Sequence, residues 1–111
     1  MLGNKKKRTS VIFHVMHEEY HRLIDADRAY RKSIKDMPQG APRVKHLRNK
    51  DYLYLARRKG PKVVYDYIGA VDSDNAKKIL EQVEQRRRYV KLLHDIRHDL
   101  KDVKKVLRGK I

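Results

Sequence analysis

Cysteine and tryptophan are absent from this chain, and phenylalanine occurs once. Without cysteine there is no disulfide and no thiolate metal ligand. A reducing compartment suits such a chain, and a cytoplasmic protein is the simplest expectation. No apolar run approaches the roughly 20 residues of a membrane span. The opening, MLGNKKKRTS, has no apolar segment of signal-peptide length, so no membrane partner is expected. Acidic residues are also short: 14 Asp and Glu face 29 Lys and Arg, for a net charge of +15. With 111 residues, 39% of them charged, and a mean hydropathy of −0.89, one domain with a thin core and elongated helices is expected.

The charge is segregated along the chain. Residues 1–9 carry Lys5, Lys6, Lys7 and Arg8 with no acid, and residues 10–42 are neutral. Residues 43–62 hold eight cations against Asp51 alone. Residues 63–85 are net acidic, and residues 86–111 hold ten cations against Asp95, Asp99 and Asp102. Cations clustered in a tail, a hairpin region and a C-terminal segment are the footprint of a polyanion binder. A solvated, soluble surface is the plainer account of the same charge.

Hydrophobic spacing divides the chain into an α+β order. Apolar residues recur at three- and four-residue steps from Val11 and Ile12 through Val15, Met16, Leu23, Ala26, Tyr30 and Ile34. They predict a helix over 10–37, capped by Thr9 or Ser10 and ended by Pro38 and Gly40, behind a flexible basic tail over 1–9. The stretch 43–69 predicts a three-stranded antiparallel meander: RVKHLR, a turn at NKD, then YLYLARR and KVVYDYIG, rich in β-formers. A loop of even length around Gly60-Pro61 sets Tyr54 opposite Tyr67. Tyr52, Tyr54, Tyr65 and Tyr67 then share one face, and Leu53, Leu55, Val64 and Ile68 the other. Residues 73–108 predict a longer helix with Asp72, Ser73 and Asp74 as cap candidates and Gly109 as its stop. It is expected to pack antiparallel on the first helix as a helical hairpin or coiled coil. Its overhang, Ile96, Leu100, Val103 and Leu107, suggests a homodimer.

The sharpest enzyme-like pattern is HEEYH, with His17 and His21 spaced as zinc ligands, Glu18 as a general base and His14 one turn earlier. Three fixed positions in a chain with six histidines are more simply polar-face histidines on a neutral helix, and a metal-dependent hydrolase is the remote alternative. The serines are Ser10, Ser33 and Ser73, two of which suit helix caps, and the glycines form no phosphate-binding loop. No enzyme activity, cofactor or metal is expected.

The pattern Tyr52, Tyr54, Arg58, Gly60, Lys62, Val63, Tyr67, Ile68 and Gly69 resembles the β-meander-then-helix segments at the N-termini of some transposases and phage-type integrases. It also resembles small, mostly uncharacterised prokaryotic proteins with a YxYL…GxKV…YIG signature and a following charged helix. The resemblance covers about residues 43–93 and implies DNA contact for Arg43, Lys45, Arg57, Arg58 and Lys62. The 111 residues hold no recombinase catalytic domain, so recombination is not implied.

These readings together give the expectation of a non-enzymatic nucleic-acid binder, with duplex DNA ahead of RNA. Its contact residues would be Arg43, Lys45, Arg48, Tyr54, Arg57, Arg58, Lys59, Lys62 and Tyr67 on the meander, joined by Arg86, Arg87 and Arg88 on the last helix. The alternatives are a binder of single-stranded nucleic acid or RNA, with tyrosines as stacking platforms, and a protein-interaction module, such as an antitoxin-like or adaptor partner of an acidic protein.

Overall fold

The computed structural model describes residues 2–108, with side chains from residue 11 onward. The elements are helix α1 (Leu2–Lys35), strands β1 (Ala41–Leu47), β2 (Lys50–Lys59) and β3 (Lys62–Ala70), and helix α2 (Asp74–Val106). This is the expected α+β order. The helices are nearly equal, with 34 and 33 residues, so the second is not the longer one. The backbone is already helical at Leu2, ahead of the start expected at residue 10. Lys and Arg are good helix formers, and Thr9 and Ser10 lie inside the helix. The stop expected at Gly109 lies outside the described residues. The chain divides into two compact units, Ile34–Tyr89 and the pair Met1–Ser33 with Val90–Ile111.

In the unit Ile34–Tyr89 the sheet order is β1-β2-β3, all antiparallel. Both connections are tight. Leu47 pairs with Lys50, so the first turn is Arg48-Asn49, one residue earlier than the expected NKD. Both turn residues have positive φ, 50° and 67°, the conformation of the hairpin turn whose twist matches that of its strands. Asn tolerates it well and Arg less so. Lys59 pairs with Lys62, so the second loop is the even one expected, with Gly60 at φ 65°. Gly40 enters β1 at φ 130°, and a Cβ there would lie 3.0 Å from the Ala56 carbonyl oxygen.

The unit's buried side chains are Leu53 and Leu55 on β2 and Ala76 and Val83 on α2. Seven residues apart, Ala76 and Val83 share one helix face. Ser73 caps α2: its Oγ accepts the Ala76 backbone N–H at 3.1 Å, and Asp74 follows in the first turn, where a negative charge suits the dipole. A bulge near Leu53 and Tyr54 leaves Ile68 as the extra residue of β3. The Asn75 side chain donates to the Ile68 carbonyl at 3.2 Å, which ties the bulge to the start of α2.

In the other unit α1 and the second half of α2 pack antiparallel. Leu23, Leu100, Val103 and Leu107 form the buried cluster, flanked by Phe13, Met16, Tyr20, Ile24 and Ile96. Asp27, late in the α1 contact, pairs with Arg97, early in the α2 contact, at 3.3 Å. The overhang expected on α2 is not free. Leu100 is 8% exposed and Leu107 0%, so the stripe expected to overhang is covered by α1 of the same chain. On α1 the residues turned inward are Phe13, Met16, Tyr20 and Leu23, while Val11, Ile12 and Val15 face solvent. The larger side chains of the neighbouring stripe fill the space against α2.

Candidate nucleic-acid interface

Residues opposite one another in an antiparallel pair point to the same face, and faces alternate along each strand. The register therefore sorts every side chain of the sheet. One face carries Arg43, Lys45 and Leu47 from β1, then Lys50, Tyr52, Tyr54 and Arg58 from β2, and Val63, Tyr65 and Tyr67 from β3. Tyr54 stands opposite Tyr67, as expected. The other face carries Leu53 and Leu55, 1% and 3% exposed, with half-buried Val64. Tyr65 and Tyr67 are 53% and 58% exposed. The aliphatic face is the packed one and the tyrosines look outward.

Charge follows the same division. Both acids of the three strands, Asp51 and Asp66, belong to the packed face by register. Each has a local partner: His46 Nδ1 lies 2.6 Å from Asp51, and Arg57 Nε donates to Asp66 at 2.6 Å. The tyrosine face therefore carries four strand cations and no carboxylate. Lys45 Nζ sits over two of its rings, 4.9 Å from the Tyr54 centroid and 5.2 Å from that of Tyr65, within cation–π range. Tyr67 leans on its neighbours, with centroids 5.3 Å from Tyr54 and 6.2 Å from Tyr52. Beside them a shallow hollow of about 540 Å³ is lined by Leu47, Arg48, Tyr52, Tyr54 and Tyr67.

The expected contact residues are thus brought together in part. Arg43, Lys45, Tyr54, Arg58 and Tyr67 share the tyrosine face, and Arg48 lines its hollow. Arg57, Lys59 and Lys62 belong to the opposite face, and Arg57 is engaged by Asp66. Lys59 and Lys62 are exposed and directly opposed at the hairpin tip, where like charges repel. On α2, Arg86 is half-buried with its Nε shielded and unpartnered, Arg87 is exposed, and Arg88 lies 4.0 Å from Glu84. Successive helix positions turn by about 100°, so the three arginines diverge. Lys50 and Leu47 were missed by sequence reasoning. Asn49, tolerant of positive φ, was the signal that set the turn one residue earlier and put Lys50 on this face.

The HEEYH segment has local uses for its groups. Glu18 pairs with His14 at 3.0 Å, and the rings of His17 and His21 meet edge to face at 4.8 Å. A hydrogen bond from the Arg22 guanidinium holds the Glu19 carboxyl below the usual carboxylate range. Among the described residues, the group whose ligand atoms converge is elsewhere: His98, Asp99 and Asp102, exposed on α2 and within 4.8 Å of one another. The His98–Asp102 contact, at 3.7 Å, accounts for much of that approach. Among the described residues no helix is long and apolar enough to cross a membrane. Comparison of the chain with protein-family models, with curated proteins and with solved structures found no match.

Proposed function

We propose that this chain is a non-enzymatic nucleic-acid-binding protein whose contact surface is the tyrosine face of its sheet. The observation that carries the reading is the separation of charge by face: the outward face holds Arg43, Lys45, Lys50 and Arg58 among exposed tyrosines, and both strand acids lie on the packed face. A surface of cations and π-systems without carboxylates complements phosphates and bases. A cysteine-free, basic protein of this kind accords with a cytoplasmic location.

The sequence pattern alone favours duplex DNA, because a two-stranded β-ribbon fits the major groove, whereas outward tyrosine rings beside cations favour a strand with unpaired bases. The test is binding to labelled duplex and single-stranded oligonucleotides across a salt series. With about five to eight cations engaged, log K against log salt should fall with a slope of about −4 to −7 on a duplex, and less steeply per contact on a single strand. A flat salt response, or no binding at low salt, overturns the proposal.

A further inference from the structure

The geometry points to unpaired bases of a single-stranded polynucleotide as the occupants of the hollow bounded by Leu47, Arg48, Tyr52, Tyr54 and Tyr67. The inference rests on the nucleic-acid reading above and names the form of the ligand. Three observations carry it. The first is the lining: three tyrosines and a leucine beside one arginine, around about 540 Å³. That volume is within the range of roughly 300–1,000 Å³ typical of clefts for small ligands. The second is ring presentation. Tyr67 is 58% exposed although it already contacts Tyr52 and Tyr54, so ring surface remains for a further stacking partner. The third is the charge around the rings, where Arg43, Lys45, Lys50 and Arg58 share the face with no acid.

These features select between forms of nucleic acid. A duplex turns its phosphates and base edges outward and keeps its base faces stacked inside. It would engage the cations and leave the tyrosine rings and the hollow unfilled. A single strand offers base faces and phosphates together. An unpaired base stacks on an aromatic ring whatever its identity, because every base has a π-face. In the proposed complex a base enters the hollow against Tyr67, and Arg48 on its lining and Lys50, paired with the lining residue Leu47, meet the adjacent phosphates. Lys45, already over Tyr54 and Tyr65, supplies charge at the next position along the strand. RNA and DNA share this chemistry.

The experiment compares four labelled oligonucleotides of about 12 residues, a length within the usual site size of about 4–16. They are single-stranded RNA, single-stranded DNA of the same sequence, its duplex, and a DNA strand of equal length whose interior positions lack bases. The full chain is used at low salt. Binding of RNA or DNA single strands at least tenfold tighter than the duplex is expected. The abasic strand should lose about five- to a hundred-fold, the scale of one stacked base. Tyr67→Phe should keep the preference and Tyr67→Leu should lose it, with the charge unchanged in both. A second readout needs no variant: tryptophan is absent and tyrosine occurs seven times, so tyrosine emission reports directly on stacking and should be quenched at saturation. Equal binding of single strand, duplex and abasic strand, or unquenched emission at saturation, overturns the inference and leaves the nucleic-acid reading standing. No binding to any of the four at low salt overturns both.

Discussion

Arg58 and Lys62 are four residues apart in sequence, and both serve a simple picture of a charged hairpin. The register separates them: Arg58 shares a face with Tyr54, whereas Lys62 shares one with Leu55. Arg58→Ala is therefore expected to flatten the salt slope by about one unit, the loss of one phosphate contact. Lys62→Ala should change it less, and the same salt titration checks both. The tyrosines and leucines of the meander separate in the same way. Tyr67→Ala removes an exposed ring and should leave the urea midpoint close to that of the parent. Leu53→Ala opens a cavity at a side chain 1% exposed and should cost about 2–5 kcal/mol, read from the same unfolding curves. Ser73→Ala leaves the Ala76 N–H without its cap and should cost about 1 kcal/mol.

At the level of elements, the hairpins and the helical pair depend on different kinds of local chemistry. The hairpins depend on turn residues. Gly40 holds φ 130° against the Ala56 carbonyl, so Gly40→Ala adds a side chain where backbone angle and space both oppose it. A loss of about 1–3 kcal/mol in thermal or urea unfolding is expected. The helical pair depends instead on the seam of Ile96, Leu100, Val103 and Leu107 against Phe13, Met16, Tyr20 and Leu23. Leu100→Glu drives a carboxylate into that cluster. It should cost several kcal/mol and lower the helical signal in circular dichroism. If the stripe were instead a dimer contact, the variant would halve the mass measured by light scattering and keep its melting temperature.

For the whole molecule the net charge of +15 is the dominant quantity. Like charges repel in any compact state, and salt screens that repulsion within a Debye length of about 8–10 Å at physiological ionic strength. Raising sodium chloride from about 50 to 500 mM should therefore raise the melting temperature by a few degrees, although the ion pairs at Asp27 and Asp66 weaken under the same screening. The same salt opposes binding of a polyanion, so stability and affinity should move in opposite directions. Scanning calorimetry beside the binding titration measures both.

The meander, the pairing of Tyr54 with Tyr67 and the cap at Ser73 were legible in the sequence because they depend on neighbours along the chain. A period of two sorts side chains into faces, and the two-residue loop at Gly60-Pro61 sets Tyr54 opposite Tyr67. Hydroxyl geometry at Ser73 needs only the next three residues. The identity of the buried face was not local. The tyrosine and leucine faces of β2 alternate equally well, and burial of Leu53 and Leu55 depends on what packs over the sheet. Helix α1 shows the same limit. It has apolar side chains around much of its circumference, and spacing alone favours Val11, Ile12 and Val15 as readily as Phe13, Met16 and Leu23. Packing against α2 selected the second set, because a partner helix covers one stripe and the larger side chains exclude more water there. The seam on α2 was likewise readable as apolar, but whether it met this chain or another depended on α1 returning along it, a contact between residues some 80 positions apart.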